Sequence, residues 1–466
     1  MSIHQVISEI IEEKRASFIR VNDKIWEFCE TRYEEFQSAD LLCTSLEEEG
    51  FQVQRCAGGI ETAFVGSYGS GKPVIAILGE FDALPGLSQK AGVAVKEALV
   101  KDGNGHGCGH QLLGAGSLAA AVGIRHYMEQ NNLKGTVRYY GCPAEEGGGG
   151  KAHMVKAGLF SDVDVAFTWH PWDENLSYNA KMLATCQVYF RFKGKSTHAS
   201  FSPHLGRSAL DAVELMNVGT NFLREHIIPE ARVHYAITNA GGFAPNVVQS
   251  EAEVLYKIRA PKNYQVSEIL ERISDIAQGA ALMTGTQVEI QFDAASADLI
   301  PNITLGSLMH NHLSQIGAES YTTEEIEFAK AIQATFSEEE RKIISRNKGK
   351  VLSDTVNPYS VEPDFIAAST DVGDVSWVVP TGQVYVTSYA FGTQPHSWQL
   401  VAQGKSTAAH KGMLLAGKVM ACSAIEILQN PEMIEKAKAE HVEWLNGEEY
   451  CSLIPADAKP TPITQN

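Results

Sequence analysis

The stretch Gly105-His106-Gly107-Cys108-Gly109-His110 combines one thiol and two imidazoles with three glycines. Glycine lets the backbone turn tightly and leaves the side chains free to converge. Thiolate and neutral imidazole are the donors a zinc-like ion prefers. A Cys and a His two residues apart also occur without any ion, so this loop needs partners elsewhere. Glu145 and Glu146, in Pro143-Ala144-Glu145-Glu146 ahead of four glycines, are the first. Adjacent carboxylates repel unless a cation lies nearby or one is protonated. With a metal, one can ligate while the other acts as general base toward an activated water. Without one they are a solvated surface pair. His170, in Trp169-His170-Pro171, and His396, in Gln394-Pro395-His396, supply further imidazoles, each of which could equally be a core or loop histidine. Together Cys108, His110, Glu146, His170 and His396 offer sulfur, imidazole and carboxylate in the number two transition ions need. Nothing in this set requires His106.

A second group lies further along. His198 sits in Ser196-Thr197-His198-Ala199, Asn246 in Ala244-Pro245-Asn246, and Arg259 in Lys257-Ile258-Arg259. A histidine, an amide and a guanidinium could grip an anionic ligand that contains an amide. They could also be ordinary surface polar residues.

The elements that must position these residues follow from the apolar pattern. Residues 3–29 and 38–50 read as amphipathic helices. Pro73–Gly79 is a continuous apolar run, as for a strand covered on both faces. An Ala-rich helix follows the GHGCGH loop, then a strand over 135–141, a helix over 151–158 and a strand over 163–168. Strands alternating with helices predict an α/β fold with a mixed, largely parallel sheet flanked by helices. In such sheets ligands bind beyond the carboxyl ends of strands. Asp82, Glu145, Glu146 and His170 are all expected there, and Glu145-Glu146 ahead of a helix also suits a helix N-terminus. Near residue 185 the rhythm changes to β-α-β-β-α-β, a ferredoxin-like α+β order. This predicts a discontinuous catalytic domain, 1–184 and 296–466, interrupted by a compact domain at 185–295. Helices over 302–316, 322–345 and 405–428 and a strand over 384–389 complete the first, and the chain after Pro455 reads as a loose tail.

With 466 residues and 44% hydrophobic content, the chain is long enough for two cores. A formal net charge of −18 argues against nucleic acid or an anionic membrane as partner. No apolar run approaches the roughly 20 residues of a membrane span. Eight scattered cysteines and the lack of an apolar leader fit reduced thiols in the cytoplasm.

These motifs, with Tyr33-Glu34-Glu35, Asp82-Ala83-Leu84-Pro85-Gly86 and Ser397–Met413, make the chain resemble the two-metal amidohydrolase branch of the aminoacylase/carboxypeptidase metallopeptidases. The resemblance spans nearly the whole chain. It implies two divalent ions, zinc or manganese, held by Cys108, His110, Glu146, His170 and His396, with Cys108 bridging. It also implies Glu145 as general base and Asp82 as the residue orienting the site. The inserted domain would be a lid that forms a homodimer, with His198 reaching the partner's site to stabilise the oxyanion; a heteromer with a related subunit is the alternative assembly. Asn246 and Arg259 would bind substrate, Arg259 through a carboxylate. Glu80 stands where the wider family has a metal-binding His, and Gln111 where relatives often carry Asp or Asn. The implied reaction is hydrolysis of the amide bond of an N-acyl amino acid, with p-aminobenzoyl-glutamate the expected substrate. A dipeptidase for dipeptides with a basic residue and a non-catalytic metal- or ligand-binding subunit are the competing readings.

Overall fold

The computed structural model describes residues 1–346 and 349–462. A seven-stranded sheet forms its centre, ordered Gln52–Arg55, Phe64–Ser70, Gly135–Cys142, Val74–Glu80, Val165–Trp172, Thr381–Thr387, Leu176–Ser177. The four strands from Gly135–Cys142 to Thr381–Thr387 run parallel, while the outer ones pair antiparallel. Every residue of Val74–Glu80 is buried, as its unbroken apolar pattern predicts. Each such Val, Ile or Leu stabilises the fold by about 1.5–3 kcal/mol.

Helices His110–Asn131 and Thr407–Gln429 pack against each other on one face of the sheet. Small residues allow the close approach: a Cβ on Gly417 would stand 3.0 Å from the Gly116 carbonyl oxygen. Thr407–Gln429 has the length and apolar composition of a membrane span, contrary to the expectation that no run approaches one. It is nevertheless buried core. On the opposite face lie the short helices Gly150–Lys156 and Val372–Val378.

The inserted unit has its own antiparallel sheet, ordered Gln287–Ser296, Ala184–Lys193, Glu251–Ala260, Arg232–Asn239. Helices Ala209–Leu223 and Asn263–Thr284 cover one face and share a separate apolar core with it. Strand Arg232–Asn239 is left as a free edge among the described residues.

Several expectations need correction. The first helix breaks at Lys14 into Ile3–Glu13 and Arg15–Phe28. The first piece packs on Thr407–Gln429 and the second on Phe36–Glu48. The 322–345 stretch is two helices, Thr323–Gln333 and Glu338–Arg346, and a helix over Glu432–Leu445, not among the expected elements, adds a layer. The segment after Pro455 is mostly exposed, as expected, but it is anchored at its start. Ile454 and Ala458 pack on the inserted unit's core, and Lys156 donates to the Pro455 carbonyl. Residues 463–466 lie outside the described residues.

Candidate active site

The GHGCGH loop enters helix His110–Asn131 through Gly109, which sits at φ +81°. A Cβ there would also meet Pro171 Cγ at 2.7 Å. Only glycine suits both demands, and this seats Cys108 against the strand that carries His170. The Cys108 Sγ lies 3.5 Å from His170 Nε2. From the other side, the His396 backbone N–H donates to the Gly107 carbonyl at 2.8 Å, which ties the last loop to this one. The His396 Nε2 stands 3.0 Å from Glu146 Oε1.

Two trios of donor atoms result, each with its members within 4.8 Å of one another: Cys108 with His110 and His170, and Cys108 with Glu146 and His396. Cys108 is common to both. A third trio joins His110, Glu145 and Glu146. His110 Nε2 and Glu146 Oε1 are buried without a hydrogen-bond partner. They approach neighbours closely, His110 Nε2 lying 3.2 Å from Glu80 Oε2, yet are not aligned to bond them. Orphaned donors aimed at a shared centre fit a metal better than they fit one another.

Asp82 holds this set in place. Its Oδ1 is 2.8 Å from His110 Nδ1, and its Oδ2 accepts the Glu146 N–H at 2.8 Å. The first contact leaves Nε2 of His110 as the free nitrogen, the carboxylate–histidine arrangement common behind metal ligands. His170 is oriented likewise, with Nδ1 2.8 Å from the Pro171 carbonyl. The expectation that His170 follows its strand is not met, because it lies within Val165–Trp172. The strand can run through Pro171 because its pairing with Val74–Glu80 ends at Phe167, so the missing N–H faces no partner on that side. Glu145 and Glu146 are not at a helix N-terminus either, since the helix begins at Gly150. They lie in a tight turn after Ala144, which adopts φ +59° and whose N–H is held by Glu35.

The electrostatics follow from crowding carboxylates out of water. Burial, then Glu80 and Glu146, push the Glu145 carboxyl well above its ordinary value. Burial and Asp82 lift Glu35 to about 8. Burial works against ionised Glu80 too, but Lys151 and His110 outweigh it and hold Glu80 below its ordinary value. Lys151 is fully buried, with Nζ 2.6 Å from Glu80 Oε1 and against Asp371 on its other side. Sequence reasoning misses Lys151 and Asp371, and it meets Glu35 only as part of a motif. The position of Lys151 directly after four glycines is the one available signal.

Glu80, Cys108, Glu145, Glu146, His170 and His396 open onto a cavity of about 710 Å³, within the range of small-molecule sites. Arg259 lines it from the inserted unit and donates to Ser369 Oγ at 2.7 Å. His198 and Asn246 do not line it. Their loops meet each other, with the Ala199 N–H donating to the Asn246 carbonyl, but both residues lie toward the surface of the inserted unit. His106 is buried against the Ile25 carbonyl at 3.0 Å, and Gln111 is buried beside the Gly404 carbonyl. Both tie the loop to the surrounding core.

A parallel α/β sheet with a carboxylate- and histidine-lined pocket at its strand ends, covered by an inserted antiparallel unit, defines a metal-dependent hydrolase of the peptidase class. The family model for Peptidase family M20/M25/M40 matches residues 76–398, and the chain belongs to that family. It is 48% identical over 477 residues to the B subunit of p-aminobenzoyl-glutamate hydrolase of Escherichia coli (strain K12), covering 99% of each chain. It is 30% identical to the Xaa-Arg dipeptidase of Mus musculus, covering 93% of this chain and 90% of that one. Among solved structures, a putative aminohydrolase from methicillin resistant Staphylococcus aureus superposes with a TM-score of 0.64 at 18% identity, covering 91% of this chain and 100% of that one.

Proposed function

We propose that the protein hydrolyses the amide bond of N-acyl amino acids, with p-aminobenzoyl-glutamate as substrate. The observation that carries this reading is the pair of donor trios sharing Cys108, with Glu145 beside them. Cys108, His110, Glu146, His170 and His396 would hold two divalent ions, zinc or manganese, and Cys108 is the donor available to both. Bound there, the ions would supply Lewis-acid polarisation of the amide carbonyl and activation of a water. Glu145 takes the proton of the attacking water and hands it to the leaving amine. Asp82 keeps His110 and Glu146 aligned through its two hydrogen bonds. Arg259 binds the carboxylate of the amino acid.

The acyl side of the cavity is aromatic. Tyr385 packs edge-on against both Trp172, at 5.8 Å between ring centroids, and Tyr178, at 5.9 Å. All three line the cavity beside His170, a wall suited to an aromatic acyl group. This favours an aminobenzoyl substrate over a dipeptide with a basic residue.

The reading includes a homodimer through the inserted unit. Its free edge strand exposes Tyr235 and Ile237, and the adjacent helix exposes Val218 and Phe222, the last at 72%. Open edges with apolar side chains call for cover, and a second copy provides it symmetrically. His198 and Asn246, on the outside of this unit, would then complete the partner's site, with His198 donating to the oxyanion. The name of the Escherichia coli relative as a subunit also admits a heteromer. The eight cysteines, all free, suit a reducing cytoplasm.

The test is metal analysis of the purified protein together with hydrolysis of p-aminobenzoyl-glutamate, other acyl amino acids and dipeptides with a basic residue. About two ions per chain and turnover of the acyl amino acids are expected. Metal-free protein, or turnover of the dipeptides alone, would overturn the reading.

A further inference from the structure

The inserted unit presents two cations to the cavity, and only one has a role so far. Lys257 and Arg259 are two residues apart on strand Glu251–Ala260 and so share a face of the sheet. Both line the cavity. Their cross-strand neighbours, Gln187 and Thr185, line it as well, so this wall is polar over two successive rows. Neither cation forms an ion pair among the described residues. Arg259 has Ser369 Oγ as its hydrogen-bond acceptor. Of the acids that act on Lys257, Glu145 and Glu146 belong to the donor cluster and form no ion pair with it, and Asp293 is already held by Arg32 at 2.7 Å and by Gln187.

Two half-buried cations on one face repel each other and carry a desolvation cost that no ion pair in the described chain offsets. One carboxylate on the ligand needs one of them. A second cation at the next facing position calls for a second carboxylate. We propose that Lys257 is a specificity-determining residue: it binds the side-chain carboxylate of an N-acyl dicarboxylic amino acid while Arg259 binds the α-carboxylate. This assignment rests on the amidohydrolase reading above. It explains how the cavity separates acyl-glutamate from dipeptides that end in a basic residue, because Lys257 repels a cationic side chain at the place where it attracts an anionic one.

The experiment compares p-aminobenzoyl-glutamate with p-aminobenzoyl-glutamine, which matches it in shape but lacks the second charge. Wild-type protein should favour the glutamate compound by at least about tenfold in kcat/KM, mainly through KM. In Lys257→Met that ratio should fall close to one, and Lys257→Arg should restore it. Lys257→Gln serves as a second neutral variant should the methionine variant fail to fold. A wild-type preference that persists in both neutral variants with unchanged KM would overturn the assignment. So would equal wild-type turnover of the two compounds. If wild-type protein turned over neither compound, nor any other acyl amino acid, the underlying amidohydrolase reading would fall instead.

Discussion

Replacing Lys151 with methionine would leave two buried carboxylates facing each other. Lys151 is 0% exposed, its Nζ is 2.6 Å from Glu80 Oε1, and it touches Asp371 on the other side. Glu80 and Asp371 are themselves 2% exposed. Removing one partner of a buried ionic set costs about 3–5 kcal/mol, because the remaining charge stays desolvated and unpaired. Against a typical stability of about 5–15 kcal/mol, that is a large fraction. The loss should depend on pH. Without Lys151, burial raises the folded-state carboxyls of Glu80 and Asp371 above their unfolded values, so the folded state binds the extra protons. Stability is then present at acid pH and lost as pH rises through the raised values. Urea denaturation followed by circular dichroism, with chelator present and between pH 5 and 8, should show the Lys151→Met deficit widening toward pH 8. Neutralising all three positions, as Glu80→Gln, Lys151→Met and Asp371→Asn together, should recover most of the loss, since a buried ionic set replaced whole is close to neutral. A single variant within about 1 kcal/mol of wild type, or a triple variant no better than the single one, would refute the reasoning.

Three further outcomes are expected. Glu145→Gln should retain its metal on elemental analysis and lose roughly 10²–10⁴-fold in turnover; substantial residual hydrolysis would remove Glu145 as the base. His198→Ala should lose about a hundredfold or more in turnover with the fold intact. Mixed with Glu145→Gln it should regain about a quarter of wild-type activity, because half of a random dimer mixture carries one intact site of two; no recovery on mixing would place His198 outside the partner's site. Glu35, lifted to about 8, contributes stability at acid pH that is lost as pH rises through that value. Glu35→Gln should therefore flatten the decline in melting temperature between pH 6 and 9, and an unchanged decline would count against that assignment.

The donor types and the strand-helix rhythm are legible in the chain itself. Cys108 and His110 sit in a glycine-rich loop that opens a helix, and Glu145 and Glu146 in a glycine-rich turn after a strand, where local pattern and ligand chemistry coincide. The α/β fold and the β-α-β-β-α-β order of the insert follow from periodicity, because that signal is local. Tertiary structure alone decides what depends on residues far apart. Lys151 meets Glu80 and Asp371 across long sequence separations, and Asp82 links His110 to Glu146. No window of sequence records these distances. The course of the chain at His170 differs from expectation because Pro171 reads locally as a strand terminator, whereas the sheet leaves that side unpaired. Lys257 is the clearest case. In sequence it is one lysine in a polar-apolar alternation. Only the cavity, and the lack of an ion-pair partner for it among the described residues, turns it into a candidate for reading the substrate's charge.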